Sequence, residues 1–579
     1  MKLFRYWSIL IVLFFAILAS RHLFTPGYFN MHDDLQMMRQ LQMEKCFLDM
    51  QIPCRWVPDM GYGYGFPLFN FYPPLPYLVG QIFRVLGFSF VDTAKMLFAF
   101  AFIASGVTMY FFSKKFFGRI GGIIGSVFYV WAPYHAVDIY VRGAMNEAWA
   151  LIFFPIILLF SCELFAAKNP KYYIRYTIYL ALAWSGLLLS HNLMAMIFAP
   201  IFALWCLLWL IKIKKIKPII NLAISGLLSF GLVAFFTLPV FIEQKLVHAN
   251  TLVQGYFEYN AHYSTINQIL FSRFWGYGPS VWMDADDKMS FQIGQIHWIL
   301  SLVAIVVAIY LIYKNRKANP NILYTIYSIL LLAAVGWFAA FMTHLRSIPI
   351  WQAFDPLAFV QFPWRFLTLV ILAFSFAISG LVYLIKSPAM KVATILACIV
   401  LVIFNWSYFR PEYGHNGPLT DEQKFTGAAW DLQRTAGIYD YLPLTAKQNP
   451  RDGQNGVAEI IEGQGVILEA KQGTNWAEFK ADVTSETAQI RINIYQFPNW
   501  RVWACPSEAS AKEGRCQELN VYVPDDELWG RMYIDIPAGY HSVYARLYNT
   551  PVRTVGNIIS FITWVGLIGF VTWKRKEIF

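Results

Sequence analysis

About twelve long apolar runs alternate with short polar turns along this chain. Each run has roughly 17 to 25 mostly apolar residues, the length that crosses about 30 Å of hydrocarbon as an α-helix. The pattern predicts a polytopic α-helical membrane protein with about twelve transmembrane helices. The runs begin near Phe4, Lys95, Ile120, Ala148, Tyr173, Leu193, Pro218, Ile293, Asn321, Trp364, Val392 and Gly556.

Basic residues occupy every second turn between the apolar runs. Because cytoplasmic loops of membrane proteins are enriched in Lys and Arg, we place these turns and both termini in the cytoplasm. To keep the alternation, residues 75–90 must form a non-spanning segment on the outer surface. The basic turns contain Lys2 and Arg5; Lys114 and Lys115; Lys168, Lys171 and Arg175; residues 212–215; residues 314–317; Lys386 and Lys391; and residues 574–576.

The composition excludes a soluble globular protein, and the charge distribution does not indicate binding to nucleic acid. Hydrophobic residues make up 57% of the chain, charged residues 14%, and the mean hydropathy is +0.45, which is too apolar for a soluble protein of this size. The net charge of +11 is concentrated in the predicted cytoplasmic turns. It therefore gives no indication of a nucleic-acid partner.

The predicted outer side receives the long polar segments. Between about residues 410 and 553, short runs of alternating polar and apolar residues predict antiparallel strands in a small β-sandwich. We expect this segment to pack on the loops or to contact an extended substrate, since no catalytic pattern stands out in it. The predicted domains are a transmembrane domain with outer loops 21–92 and 243–292 (1–409), an extracytoplasmic, mostly β domain (410–555), and a last transmembrane helix with a basic tail (556–579).

The cysteines follow the same division between membrane and outer segments. Three of them, Cys162, Cys206 and Cys398, fall within apolar runs and are expected to act as small apolar residues. The other four fall outside the membrane in two pairs that are close in sequence. We therefore predict the disulfides Cys46–Cys54 and Cys505–Cys516 in an oxidising compartment.

The motif "NMHDDL" at residues 30–35 follows the first apolar run and contains His32, Asp33 and Asp34. One interpretation is structural: Asp33 or Asn30 caps a surface helix that begins near Leu35. The other is catalytic, with a carboxylate acting as general base towards an acceptor hydroxyl or binding a divalent cation that holds a phosphate. A helix N-terminus allows both roles.

The second outer loop brings Asp138, Arg142 and Glu147 to the start of another apolar run. Glu147 could be an acidic first-turn residue and Arg142 an interfacial anchor. An Arg beside a carboxylate also suits a site that stabilises a phosphate leaving group without excess charge.

Two further turns carry polar residues at the predicted outer surface. His191 and Asn192 lie between two apolar runs, where a satisfied turn residue is the simpler interpretation. Gln361 and Arg365 lie before another run, where Arg365 could extend its charged head to the interface. The stronger observation is that the charge pattern places all of these residues on one side of the membrane.

The order of these features resembles the GT-C superfamily of integral-membrane glycosyltransferases, which use polyprenyl-phosphate-linked sugars. The resemblance rests on "NMHDDL", on "PLPYLVGQIFRVLGF" at residues 74–88, and on residues 113–147. It implies catalytic roles for Asp33 or Asp34 and for Glu147. The family's second acidic pair is replaced here by "NE", so Mg or Mn bound by Asp33, Asp34 and Glu147 is only a possible cofactor.

A closer resemblance is to the bacterial pyruvoyl-tetrahydropterin-synthase-related membrane family and to YfhO-like proteins. It is carried by "GFPLFNFYPPLPYLVG", "YVRGAMNEAWAL", "LLSHNLMAM", "FVQFPWRFL", "YQFPNWRVW" and residues 535–560. It implies a multi-pass protein of the bacterial cytoplasmic membrane that transfers sugar to an envelope glycan, lipid or protein. The donor phosphate would lie near Arg142, His191, Asn192 and Arg365. A lipid flippase or transporter, and a non-catalytic envelope scaffold, are the alternatives.

Reporter fusions test the predicted sidedness. Alkaline phosphatase inserted beside His32 should be active, because its disulfides form only in an oxidising compartment. The same reporter fused after Lys576 should be inactive, whereas a cytoplasmic fluorescent reporter there should be bright. Equal phosphatase activity at both positions would place the acidic motif and the basic tail in one compartment and contradict the topology.

Overall fold

A computed structural model of the chain describes residues 6–280, 288–314, 320–385, 387–412, 420–437, 440–506 and 516–578. Helices come first, a sheet follows, and two helices end the chain. The α-helices are α1 Trp7–Ala19, α2 Gln36–Leu48, α3 Leu68–Phe71, α4 Leu75–Val85, α5 Phe90–Val130, α6 Pro133–Ala136, α7 Met145–Ala166, α8 Pro170–Ser190, α9 Asn192–Ile213, α10 Lys217–Glu243, α11 Gln295–Lys314, α12 Pro320–Met342, α13 Ile348–Ala353, α14 Leu367–Leu384, α15 Pro388–Asn405, α16 Asp421–Lys424, α17 Gly427–Thr435, α18 Pro551–Trp573 and α19 Arg575–Ile578.

Eight helices within the described ranges are long and apolar enough to cross a membrane, so the chain is a multi-pass membrane protein. They are α5, α7, α9, α10, α11, α12, α14 with the turn before it, and α18, while α1 and α15 are apolar but shorter. Helix α5 has 41 residues and is interrupted at Gly118, whose φ of 72° is not helical. This interruption separates the predicted runs near Lys95 and Ile120. The total of about twelve spans stays a prediction.

The short helix α4 confirms that residues 75–90 do not cross the membrane. It has 11 residues, and at 1.5 Å per residue this gives about 16 Å, roughly half of the hydrocarbon thickness.

The polar residues of interest and the lysine-rich turns lie at opposite ends of the same helices. Glu147 is in the first turn of α7, and Lys168 follows the end of that helix. His191 precedes α9, and Lys212 lies in its last turn. The helices therefore separate the two kinds of turn, while the compartment that each end faces stays a prediction. Several predicted turn residues lie outside the described part of the chain: Lys2, Arg5, 315–317 and Lys386, with residues 281–287 of the loop 243–292.

Both predicted disulfides are confirmed. The Cys46–Cys54 bond joins the last turns of α2 to the extended segment after it. The Cys505–Cys516 bond joins the end of the fourth strand to the residue before the fifth. The other three cysteines are buried in α7, α9 and α15 with free thiols.

The described strands between residues 458 and 547 form one antiparallel sheet of six strands, in the order β1-β3-β6-β4-β5 with β2 also paired to β3. The predicted antiparallel pairing is confirmed. The strands are joined in one sheet, where two stacked sheets were expected, because β1 and β2 both pair with the long strand β3. The strands are β1 Ala458–Glu462, β2 Gly465–Gln472, β3 Trp476–Tyr495, β4 Trp500–Cys505, β5 Gln517–Leu519 and β6 Arg531–Leu547.

A buried ion pair joins helix α18 to helix α10 and to the first loop. The carboxylate of Glu243, at the end of α10, accepts hydrogen bonds from Arg553 Nε at 2.8 Å, from Asn70 Nδ2 at 2.9 Å, and from the Thr550 hydroxyl. The side chains of Glu243 and Arg553 are only 4% and 1% exposed. A buried charge is tolerated only when it is paired and hydrogen-bonded, so this contact fixes where α18 packs on α10.

Replacing Arg553 with Ala should destabilise the protein by ~3–5 kcal/mol, because Glu243 would remain as a buried, unpaired charge. The apparent melting temperature in detergent, followed by size-exclusion chromatography of heated samples, should fall. Arg501→Ala is the control, since it breaks an exposed pair with Glu518 on the sheet and should leave the melting temperature unchanged. Equal melting temperatures for Arg553→Ala and the wild type would contradict the assignment.

Candidate functional site

A single large cavity brings the predicted polar residues together. Its volume is about 1390 Å³. At one end it is lined by the residues singled out in the sequence, and at the other by apolar side chains of three helices. The polar end includes His32, Asp33, Asp34, Arg39, Arg142, Asn146, Glu147, His191, Asn192, Gln361, Trp364, Arg365, Lys424 and Asp440. The apolar end includes Leu180, Trp184 and Leu188 of α8, Ala195, Met196, Ala199 and Phe202 of α9, and Leu222, Phe230, Phe236, Val240 and Phe241 of α10.

Glu147 is the centre of a buried cluster of charges. Its Oε2 lies 2.9 Å from Arg142 Nη2 and 3.2 Å from Arg365 Nε. Its Oε1 accepts a hydrogen bond of 2.6 Å from the Tyr134 hydroxyl. Arg142 also pairs with Asp138, which is completely buried. Glu147 is thus the counter-charge of both guanidinium groups. Asp138 accepts a second contact from Arg142, although burial raises the pKa of its own carboxyl well above the usual range.

The simpler interpretations, Glu147 as only a first-turn acidic residue and the two arginines as anchors at the membrane interface, do not account for this cluster. Glu147 does lie in the first turn of α7, where the helix dipole favours a carboxylate. Arg142 and Arg365, however, have side chains only 7% and 12% exposed and turn inward to the carboxylate. Both arginines are therefore parts of the cavity wall.

A π-helical turn places Arg142. Residues 137–141 form this turn, and the backbone N–H of Arg142 donates to the carbonyl of Val137 at 2.8 Å. Its guanidinium lies over the indole of Trp364, 4.4 Å from the ring centroid. The wider turn and the cation–π contact hold the guanidinium at the cavity.

Gly143 allows the first and second loops to meet. It has φ of +61°, and a Cβ at this position would lie only 2.1 Å from Met31 Sδ. Because of this close approach, the N–H groups of His32 and Asp33 donate to the carbonyls of Val141 and Arg142, at 3.1 and 2.9 Å. The acidic motif and the Glu147 cluster are therefore held against each other by the backbone.

Gln361 supports Arg365 in the turn before α14. Its Oε1 accepts from Arg365 Nη1 at 3.0 Å, and its Nε2 donates to the carbonyl of Leu252 at 2.9 Å. The backbone of Gln361 has φ of 64°, an uncommon conformation for a residue other than glycine. The carbonyl of Val360 accepts a further bond from Arg365 Nη1 at 2.8 Å. The guanidinium is thereby fixed in one orientation.

His191 caps helix α9, which confirms the simpler interpretation, and it also lines the cavity. Its Nδ1 accepts from the backbone N–H of Met194 at 3.4 Å. Burial and the neighbouring Arg365 lower the pKa of His191 to about 3. The imidazole is therefore neutral near pH 7, and its proton is placed on Nε2, since Nδ1 acts as acceptor.

Asn192 and Asn146 complete this wall of the cavity. The Oδ1 of Asn192 accepts from the N–H of Leu193 at 3.1 Å. The Nδ2 of Asn146 donates to the carbonyls of Pro73 and Ser190, each at 2.8 Å. Asn146 therefore ties the first loop to the turn between α8 and α9.

The capping interpretation of the acidic motif is wrong. Helix α2 begins at Gln36, and Leu35 is its N-cap, without a side-chain cap bond. The carboxylate of Asp33 instead lies 2.7 Å from Arg39 Nη1 and accepts from Gln36 Nε2 at 3.2 Å. Arg39, one turn inside the helix, takes this carboxylate because a buried guanidinium requires a counter-charge.

The other two residues of the motif contact distant segments. Asp34 Oδ2 lies 2.5 Å from Nζ of Lys424, which belongs to the short helix α16 before the sheet. His32 Nε2 lies 2.9 Å from the carbonyl of Tyr277. Burial raises the pKa of Asp34, with Lys424 acting in the opposite direction, and burial lowers the pKa of His32.

Sequence reasoning missed Arg39, Asn146 and Trp364, and it missed two charged cavity residues much later in the chain, Lys424 and Asp440. Both come from the segment between the helices and the sheet, in which no catalytic pattern was evident. Asp440 follows α17, and burial raises its pKa to about 7, with Arg39 lowering it and Asp33 raising it. The only available sequence signal was an isolated Asp after "GIY", which by itself indicates a turn.

The carboxylates of the cavity do not fit a divalent cation in this arrangement. Asp33, Asp34 and Glu147 each already have one carboxylate oxygen bound to Arg or Lys, which competes with a metal for the same group. No group of three or more His, Cys, Asp or Glu residues in the described ranges is arranged to hold a metal ion. Binding of Mg or Mn stays a prediction from the sequence, and no step below uses it.

No protein-family model matches the chain. A curated protein of Lactococcus lactis subsp. cremoris (strain MG1363), named only an uncharacterized protein, is 24% identical over 258 residues, which are 42% of this chain and 41% of that protein. Among solved structures, arabinofuranosyltransferase AftD from Mycobacteria aligns with a TM-score of 0.45 and 12% identity, covering 94% of this chain and 40% of AftD. The Archaeoglobus fulgidus oligosaccharyltransferase aligns with a TM-score of 0.43 and 12% identity, covering 78% of this chain and 60% of that enzyme.

This chain thus spans about two fifths of the length of the curated relative and of AftD. The resemblance to the two more specific bacterial families stays a prediction from the sequence.

Asp440→Asn should raise the apparent melting temperature at pH 8 and have little effect at pH 4. In the unfolded chain this carboxyl has its ordinary pKa of about 4, whereas its pKa in the folded protein is about 7. Between these values the folded state binds more protons, so stability falls as the pH rises. Above pH 7 the ionised carboxylate disfavours the fold, and Asn removes that effect.

The control is Asp431→Asn, which changes an exposed carboxylate on α17. It should give the same pH dependence of the melting temperature as the wild type. A pH-independent difference between Asp440→Asn and the wild type would contradict the raised pKa.

Proposed function

We propose that this chain is a membrane glycosyltransferase that moves a sugar from a polyprenyl-phosphate-linked donor to an extracytoplasmic envelope acceptor. One observation carries the proposal: a single cavity joins a cluster of buried, oriented charges to an apolar groove between α8, α9 and α10. A ligand that fits both ends has a charged head beside a long apolar chain. A lipid phosphate bearing a sugar has this chemistry.

The charged end of the cavity suits a leaving phosphate. Arg142 and Arg365 are held beside each other by Glu147, and the neutral His191 has an Nε2–H to donate. When the bond between the sugar and the phosphate breaks, negative charge grows on the phosphate oxygens. Donors that are already oriented stabilise that charge without reorganisation, and this is the usual source of such catalysis.

The apolar end of the cavity suits a polyprenyl chain. Small ligands occupy pockets of about 300–1,000 Å³, and this cavity of about 1390 Å³ exceeds that range. Two of the three helices that supply its apolar walls, α9 and α10, are long and apolar enough to cross a membrane. A lipid tail can therefore remain among apolar side chains while its head reaches the arginines. This arrangement explains why the enzyme would be built into the bilayer.

The proposed location is a bacterial cytoplasmic membrane, with the cavity and the sheet outside the cytoplasm. The two disulfides support it, because disulfides persist in oxidising compartments. The lysine-rich turns at the opposite helix ends support it by the positive-inside rule. The sequence resemblance to GT-C glycosyltransferases agrees with the same orientation.

The function is tested with purified protein in proteoliposomes. Undecaprenyl phosphate carrying radiolabelled glucose, galactose, mannose or arabinose serves as the donor, and octyl glycosides with an envelope lipid extract serve as acceptors. Arg365→Ala should lower kcat by about 10²–10³, because it removes a donor to the leaving phosphate. Arg365→Lys should recover only part of the rate, since an ammonium cannot reproduce the planar fork.

The control is Arg346→Ala, which changes an exposed arginine in the turn before α13 and should leave kcat unchanged. No sugar transfer by the wild type from any of these donors would overturn the proposal. If the protein instead moved the labelled lipid across the vesicle membrane without transfer, the flippase would replace it. If neither activity were found, the non-catalytic scaffold would remain.

A further inference from the structure

Asp440 differs from the other charged residues of the cavity because it has no counter-charge. Among the described residues, Asp33 pairs with Arg39, and Asp34 pairs with Lys424. Glu147 pairs with Arg142 and Arg365, and Asp138 also pairs with Arg142. No described side chain forms an ion pair or hydrogen bond with the Asp440 carboxylate, although it lines the same cavity.

The position of Asp440 is next to the acidic motif. A Cβ at Gly437 would lie 3.3 Å from Asp440 Oδ2 and 3.5 Å from Leu35 Cδ1. The carboxylate therefore lies beside the residue that follows Asp34. Its side chain is partly exposed, and the cavity that it lines holds Asp33, Asp34 and Tyr441 as well.

Asp33 and Asp34 are each already bound to a cation. A proton taken up by either carboxylate would leave Arg39 or Lys424, both buried, without a counter-charge. Removing one partner of a buried ion pair is strongly unfavourable. A proton on Asp440 breaks no ion pair and relieves the cost of a charge that is partly removed from water.

We infer that Asp440 is the proton acceptor for the incoming hydroxyl group, and that the acceptor side of the cavity is formed by Lys424, Gln433, Ala436, Asp440 and Tyr441. This inference rests on the proposed glycosyl transfer. The acceptor oxygen forms a bond to the anomeric carbon, and the bond from that carbon to the phosphate oxygen breaks with its electron pair. The hydroxyl proton passes to the Asp440 carboxylate, and polyprenyl phosphate leaves.

The electrostatic environment agrees with this role. The pKa of Asp440 is raised to about 7, chiefly by burial; Arg39 opposes the rise, and Asp33 and the adjacent Tyr441 are the other titratable groups nearby. A general base is most effective when its pKa is close to the working pH. The carboxylates of the acidic motif would then orient the acceptor hydroxyl through hydrogen bonds.

The experiment compares variants of the full chain in the proteoliposome assay between pH 5 and 9, with saturating labelled donor and octyl glycoside as the acceptor. For the wild type, kcat should rise with pH around a midpoint of about 7. Asp440→Asn should lower kcat at pH 8 by about 10²-fold or more and abolish this midpoint, while the donor KM stays unchanged. Asp440→Glu should keep the midpoint and recover part of the rate.

Asp431→Asn is the matched control on the same segment and should behave as the wild type. The inference is overturned if Asp440→Asn keeps the pH midpoint with only a uniform drop in kcat, which is what a structural role gives. It is also overturned if the midpoint is lost in Asp33→Asn or Asp34→Asn instead. A wild type inactive with every donor overturns the proposed function itself, which distinguishes the two failures.

Discussion

A buried charge needs an opposite charge, and this requirement joins segments of the chain that are far apart in sequence. Glu147 at the start of α7 binds Arg142 from the preceding turn and Arg365 from the turn before α14. Lys424 reaches Asp34 across 390 positions. Each contact buries a charged group that is costly to remove from water, and the opposite charge of its partner offsets that cost. The helix ends and the outer segment are held around one cavity by this constraint.

The cavity has two different sides as a result. The helices α8, α9 and α10 supply an apolar wall, and Lys424, Gln433 and Asp440 supply polar groups from the segment before the sheet. Of these helices, α9 and α10 are long and apolar enough to cross a membrane. The same cavity thus offers apolar surface to a lipid tail and polar groups to a second, water-soluble substrate.

The sequence predicted the local and periodic features well. The helical apolar runs, the short helix α4, the antiparallel strands and both disulfides depend on composition, spacing or neighbours in the chain. Their presence is confirmed, while the number of membrane spans stays a prediction. Pairings over long distances could not be predicted. The charge pattern placed Glu147 and Arg365 on one side but could not show that they touch. Asp33 resembled a helix cap because an Asp just before a helix is often its cap. Its actual partner, Arg39, gave no signal, since an Arg on a helix usually lies on the exposed surface. Asp440 carried no sequence signal, because its raised pKa comes from partial burial beside a motif that lies about 400 residues earlier in the chain.

The charge balance of the transfer gives a further reason for an uncompensated carboxylate in the same cavity as the arginines. A sugar linked to a polyprenyl phosphate carries one negative charge on its phosphate, and an ionised Asp440 adds a second. After transfer, the phosphate carries two and the protonated Asp440 none, so the total is unchanged. In a medium of low dielectric constant, a change in net charge is costly. Asp33 or Asp34 would conserve the total equally, but only by leaving Arg39 or Lys424 unpaired. A proton acceptor without a cation partner balances the growing charge on the phosphate and leaves the ion pairs that hold the cavity intact.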